Sequence, residues 1–327
     1  MRLDRRSVSI LAWAMLAVAA DAQSLSIDPI AGMALGNVTS ATIGTTVFQI
    51  SASSGAVSRS GGGSRLGAGS ARSLVAIGCG SDPLCATSDV AITITAIGSP
   101  TGRAGALGNF TISALSAQVK AGPSGTGTVT FTIGPIGTND SRTFYVGADF
   151  PILGDESAAA TGVAATSFQV SAQFTPSGMP IAQIGSGSAA VFRPIALAGT
   201  ADLAFGTVTR PRSGSGTVSI DAATGDRILS GDGVIGIGSG PHRATYTVTG
   251  EGGQAYSVSV PATFTMTGPG DPITVTLTTT ASGMQTLDGS LGGAGTASIG
   301  VGGSFTLASD KAGGNYSGSF VISVEYQ

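Results

Sequence analysis

Two cysteines, Cys79 and Cys85, stand in the run CGSDPLC and are the only two in the sequence. Five residues separate them, including Asp82 and Pro83, and in an exported chain that arrangement is expected to be a disulfide across a turn. A metal centre needs two further soft ligands, and the single histidine, His242, lies in the other half of the chain. His242 follows Pro241 in SGPHRAT, a turn-like setting in which no Ser or Asp partner can be located, so it reads as a loop residue rather than a general base. The carboxylates are scattered and form no calcium-loop pattern. GVIGIGSG and GSLGGAGT imitate phosphate-binding loops, but neither joins a strand to a helix, and both read as turns. Sequons at Asn37, Asn109, Asn139 and Asn315 are expected by chance in a chain so rich in Ser and Thr. The chain is therefore expected to be no enzyme, with no cofactor and no metal.

Export is read from the first residues. Arg2, Arg5 and Arg6 precede the apolar run ILAWAMLAVAA, and Ala20, Asp21 and Ala22 form an A-x-A cleavage site. This is the layout of a secretory signal peptide over residues 1–22, cut between Ala22 and Gln23. Arg5 and Arg6 also admit a twin-arginine reading, which the residues after them fit poorly. No later stretch approaches the roughly 20 apolar residues of a membrane span. The expected destination is the periplasm, the cell surface or the medium.

Removing the leader leaves 12 Lys plus Arg against 16 Asp plus Glu, a net charge of −4. Such a chain has no basic patch with which to hold nucleic acid. Charged residues are 10% of the sequence, against roughly 25% in an average globular protein, so Ser, Thr and Gly must form much of the hydrated surface. Hydrophobic residues reach 42% and alternate with strand periodicity, which argues for a packed all-β core rather than disorder.

Three short matches recur in the same order. LGNVT at Leu35–Thr39 matches FGTVT at Phe205–Thr209, VGADFPI at Val146–Ile152 matches VGGSFTL at Val301–Leu307, and SFQVSAQF at Ser167–Phe174 matches SFVISVEY at Ser319–Tyr326. One module is thus expected twice, with the first copy lengthened by insertions. The expected division is residues 23–174, a Pro-, Gly- and Ser-rich linker over 175–200, and residues 201–327. Within each copy, segments such as AITITAI, TVTFTI and ATYTVTG alternate apolar with hydroxylated residues between Gly-rich turns. The fold expected is two tandem immunoglobulin-like, pilin-like antiparallel β-sandwiches, a barrel being the alternative.

The order DLAFGTV, VTGEGGQAYSVSVP and VGGSFTLASDKAGGNYSGSFVISVEYQ resembles the bacterial secreted domain of unknown function family 4402. The resemblance covers Leu203–Gln327, with a more divergent version over Leu35–Phe174; it implies a secreted β-sandwich and supplies no catalytic residues. The C-terminal residues also resemble chaperone–usher pilin subunits, with a glycine as the fourteenth residue counted from the end (Gly314), alternating Phe320, Ile322 and Val324, and a penultimate tyrosine, Tyr326. That resemblance implies that these five residues form a surface for strand exchange with a partner. Self-contained closure is the competing expectation, since the internal copy at Phe168, Val170, Ala172 and Phe174 shows the same alternation without any partner.

Two functions remain. One is a structural subunit or accessory of a bacterial surface filament or coat, whose partners are copies of itself or other subunits joined by strand addition. The alternative is a two-domain adhesin holding a glycan in its first sandwich, where the cysteine-bounded loop and the insertions lie but where Tyr145 is the one Tyr and no Trp is present.

Overall fold

The period-two alternation of apolar and hydroxylated residues becomes strand almost throughout, because a pleated strand places alternate side chains on opposite faces. The computed structural model describes residues 24–327; the expected leader, with its cleavage point at Ala22 and Gln23, lies outside the described residues. The described residues are almost all β, with one α-helical turn at Leu84–Thr87 and one 3-10 turn at Asp155–Ser157. Among the described residues no helix is long and apolar enough to cross a membrane.

The N-terminal sandwich packs two sheets over one continuous core. The first sheet orders Leu25–Ile27, Ser73–Cys79, Asp140–Ile152, Thr46–Ile50 and Val57–Ser60, with Gly108–Ala114 paired to Asp140–Ile152. The second orders Ser64–Leu66, Met33–Thr39, Ile181–Phe192, Gly162–Phe174, Val90–Thr101, Thr128–Ile133 and Val119–Ser124. Phe48, Phe144, Phe150 and Phe168 are fully buried between them. Both sheets are open at their edges, so the barrel alternative does not hold.

One expectation is corrected here. Residues 175–200 were expected to be a linker, but Ile181–Phe192 is a twelve-residue strand in the middle of the second sheet. It runs antiparallel to Gly162–Phe174, with Ala172 opposite Ile181 and Gly162 opposite Val191, and parallel to Met33–Thr39. Its Gly and Ser content reflects packing rather than flexibility. A Cβ at Gly185 would collide with the Phe168 ring, and one at Gly187 would stand 2.8 Å from the Thr166 methyl and 3.1 Å from Phe150. Gly185→Val is therefore expected to destabilise the N-terminal sandwich by ~1–3 kcal/mol through overpacking, read as a lower midpoint in urea unfolding.

Cys79 and Cys85 are joined, as expected, with 5.8 Å between their Cα atoms. The bond ties the end of strand Ser73–Cys79 to the helical turn. Closing so short a loop is worth about 2 kcal/mol, so replacing both cysteines with serine is expected to cost that much and leave the fold intact by circular dichroism.

The C-terminal sandwich repeats the pairing order. Ala196–Ala201, Ala244–Glu251, Ala294–Ala308, Ser215–Ile220 and Arg227–Ser230 line up as their counterparts do in the first sheet above, and Ile273–Thr279 joins Ala294–Ala308. Thr207–Val208 pairs with Gly236–Ile237, as Met33–Thr39 pairs with Ser64–Leu66. Ala255–Ser259 lies between Gly283–Thr286 and Ser323–Tyr326, as Val90–Thr101 lies between Thr128–Ile133 and Gly162–Phe174. Among the described residues Ile181–Phe192 and the edge strand Val119–Ser124 have no counterpart in the C-terminal sandwich, and Thr263–Met266 has none in the N-terminal one; of the two missing strands, Ile181–Phe192 is the one that lies inside the sheet.

Candidate functional site

The missing strand divides the C-terminal core. In the N-terminal sandwich the buried residues form a single cluster. In the C-terminal sandwich they form two, one around Phe205, Met266 and Phe305 and one around Val248, Tyr256 and Ile299, with Leu203 and Leu277 touching both. Between the segments around Gly206–Val208 and Gly314–Phe320 lies an open groove of about 760 Å³. Its lining includes Leu203, Phe205, Met266, Phe305, Tyr316 and Phe320. The repeat offsets put this groove where Ile181–Phe192 fits between Met33–Thr39 and Gly162–Phe174 in the first sandwich.

Both rims offer backbone as well as apolar surface. Ser317 exchanges hydrogen bonds of 2.8 and 3.0 Å with Thr267, so by strand alternation the N–H and C=O of Tyr316 and Gly318 point the other way, into the groove. On the opposite rim the carbonyls of Phe205 and Thr207 each accept from the Arg227 guanidinium at 3.1 Å, and the Thr209 N–H donates to Ile235. The same alternation turns Val208 toward the groove. A sheet edge of this kind with apolar pockets beneath it is the surface that strand addition requires.

The matched side chains measure what the missing strand does. Phe168, Val170 and Ala172 are 0%, 0% and 1% exposed beneath the inserted strand. Their counterparts Phe320, Ile322 and Val324 are only half-buried. Phe320 leans on Phe264, with ring centroids 5.2 Å apart, and Phe305 on Phe205 at 4.9 Å, which leaves the groove between them open. Gly162 and Gly314, 152 residues apart, both take positive φ (92° and 144°), a backbone conformation that glycine reaches without strain.

Of the five residues expected at a partner surface, Gly314 and Phe320 line the groove, while Ile322 and Val324 face the second core cluster. Tyr326 packs against that cluster too, and its hydroxyl reaches the junction between the sandwiches. Its hydroxyl donates to the Arg193 carbonyl at 2.9 Å and accepts from the Glu251 N–H at 2.7 Å, and its ring meets Phe192 edge-on with centroids 5.8 Å apart. Burial is the main influence that raises the Tyr326 phenol above its ordinary range, so the donor proton is retained at neutral pH. The Glu251 carboxylate is fully buried beside it. It accepts from the Thr161 hydroxyl at 3.1 Å, from the Arg193 N–H and guanidinium at 3.2 and 3.1 Å, and from the Gly292 N–H.

The residues with conventional chemistry are not brought together. His242 is exposed, and its backbone bridges Ala204 while its ring makes only a long contact to the Arg243 carbonyl. Among the described residues no three His, Cys, Asp or Glu side chains could jointly hold a metal. Leu25 and Ile27 pair with Cys79 and Ile77 inside the N-terminal sandwich. Sequence reasoning missed the inserted strand and the junction residues Thr161, Arg193 and Glu251. The period-two series of small inward residues Gly185, Gly187 and Ala189 was the available signal for the strand.

Solved structures similar to the chain are surface-fibre proteins at low scores. The CsuC–CsuE chaperone–tip adhesion subunit pre-assembly complex of Acinetobacter baumannii matches over 93% of this chain and 100% of that one, at 11% identity and a TM-score of 0.27. BcpA, the major pilin subunit of Bacillus cereus, matches over 84% of this chain and 66% of that one, at 11% identity and a TM-score of 0.25. The C-terminal fragment of the major pilin GBS80 of Streptococcus agalactiae matches over 69% and 83%, at 11% identity and 0.23. TM-scores of this size carry no functional inference. No curated protein matches the chain in sequence. The likeness of the N-terminal sandwich to the C-terminal one rests on strand order, whereas residues 195–326 match the family model described as Domain of unknown function (DUF4402).

Proposed function

We propose that the protein is an exported structural subunit of a bacterial surface filament or coat, joined to its partner by strand addition, with the C-terminal sandwich as the acceptor. One observation carries this reading: the place that Ile181–Phe192 fills in the N-terminal sandwich is an open groove in the C-terminal one, with Phe205, Met266, Phe305 and Phe320 among its lining. The occupant is an extended segment of a partner subunit with an apolar residue at every second position, which pairs with the rim backbone and covers Phe305 and Phe320. The segment Leu25–Thr39 of a second copy is a poor source, because Leu25, Met33, Leu35 and Val38 are buried in their own sandwich.

The test is a self-completed variant. In the N-terminal sandwich residues 175–180 connect strand Gly162–Phe174 to the inserted strand. A second copy of residues 175–192 appended after Gln327 should fold back into the groove in the same way, at the high effective concentration of a tethered segment. Filling it with ~2–3 kcal/mol of new burial and pairing should raise the thermal midpoint by roughly 4–12 °C. It should also abolish any self-association of the unmodified chain in light scattering. An unmodified chain that is monomeric and gains nothing from the appended strand contradicts the proposal.

A second reading keeps the same acceptor but adds a ligand. The N-terminal sandwich bears a shallow hollow of about 520 Å³ whose rim includes Gln49, Ser58, Asn109, Thr111 and Asp149. The Asn109 amide donates to Asp149 at 2.8 Å there. That lining suits a polyhydroxylated ligand and favours a two-domain adhesin. Binding on a glycan array that is lost in Asp149→Ala, with the fold retained, supports it; no binding to any glycan removes it.

A further inference from the structure

We propose that the junction between the two sandwiches is a clasp coupled to the groove, so that strand uptake and the relative orientation of the sandwiches reinforce each other. The inference rests on the strand-acceptor reading above and concerns what that site controls.

The coupling element is the terminal strand Ser323–Tyr326 with the segment that leads into it. It is paired along one edge only, to Ala255–Ser259. Upstream, Gly314–Phe320 forms a groove rim; downstream, Tyr326 closes the junction. The same short stretch thus borders the groove at one end and bridges the sandwiches at the other.

The clasp is well defined. Tyr326 ties the Glu251 N–H to the Arg193 carbonyl, and Arg193 begins the three-residue connection, 193–195, between strands Ile181–Phe192 and Ala196–Ala201. The buried Glu251 carboxylate holds Thr161 from the N-terminal sandwich and Gly292 from the C-terminal one. Low dielectric makes these bonds strong when complete and costly when one is broken, which gives the junction a closed state distinct from any open one.

The rim stretch lacks a partner along one edge, so it carries conformational freedom that an incoming strand removes. A stretch already held by the clasp has less freedom to lose. Closing the clasp therefore favours uptake, and uptake, by reciprocity, favours the closed clasp.

The test uses the full chain and a peptide copying Ile181–Phe192 as the probe strand. Spin labels at Ser60→Cys and Ser230→Cys report the distance distribution between the sandwiches. In the unaltered chain the peptide should bind and narrow that distribution. Tyr326→Phe keeps the ring on Phe192 but removes both hydroxyl bonds; it should weaken the peptide by about fivefold or more and broaden the distribution. Thr161→Val acts from the N-terminal side without touching the groove, and should weaken the peptide in the same direction. Peptide affinity unchanged in both variants overturns the coupling while leaving the acceptor groove standing. A peptide that fails to bind the unaltered chain overturns both.

Discussion

Phe168→Ala is expected to cost ~3–5 kcal/mol of stability, while Phe320→Ala costs only about 1–2 kcal/mol in the free protein. The two phenylalanines occupy matching places in SFQVSAQF and SFVISVEY, so side-chain chemistry is held constant. Phe168 is fully buried, 5.9 Å from Phe110 between centroids, and covered by the inserted strand at Gly185. Removing it leaves a cavity that the surrounding sheet cannot collapse into. Phe320 is half-buried on the rim of a cavity already open, so its loss removes contact with Phe264 and part of its packing on the second core cluster, and enlarges a space that solvent already reaches. When residues 175–192 are appended to fill the groove, the cost at Phe320 should rise toward that at Phe168. Urea unfolding of the five proteins (the parent, its two alanine variants, the extended parent and its Phe320→Ala variant) measures the difference, and equal costs at both positions in the free protein would mean that the groove is already closed.

Glu251→Ala carries the other large effect, ~3–5 kcal/mol, because it breaks a buried ion pair and leaves its partners unmatched. The carboxylate is fully buried, and its loss strands the Gly292 N–H, the Thr161 hydroxyl and the Arg193 guanidinium together. Glu251→Gln keeps the shape and part of the hydrogen bonding, and should lose less. The check is thermal unfolding of both variants, with the loss expected to fall mainly on the C-terminal sandwich. A Glu251→Ala midpoint within 1–2 °C of the parent would mean that the junction contributes little, at roughly 2–4 °C per kcal/mol for a chain of this size class.

The sequence carried the strands because they are written in local pattern. Alternation of Val, Ile and Thr with period two specifies a strand without reference to the rest of the chain, and the 152-residue offset between the two SF motifs survives in Gly162 and Gly314, both at positive φ. The inserted strand was misread as a linker because IGSGSAAVF has the composition of a flexible segment. Its small residues are there to clear Phe168, Phe150 and Thr166, a requirement visible only once those rings are placed opposite. Tyr326 was assigned to a partner surface by its position next to the last residue, yet its hydroxyl is committed to Arg193 and Glu251, 133 and 75 residues away. The buried Arg103, which donates to Ser40 and Asp155 at 2.6 Å and pins the loop before Gly162, was equally silent in the sequence. Polar groups joined across such separations leave no periodic trace.

The measurement that tests the account most directly is amide hydrogen exchange of the full chain, with and without residues 175–192 appended after Gln327. The account predicts that amides of 314–322 exchange about tenfold or more faster than their counterparts at 162–170 in the unmodified chain, and that the appended strand slows them to comparable rates. Equal protection of the two segments in the unmodified chain, or no change on appending the strand, would contradict an acceptor groove in the C-terminal sandwich.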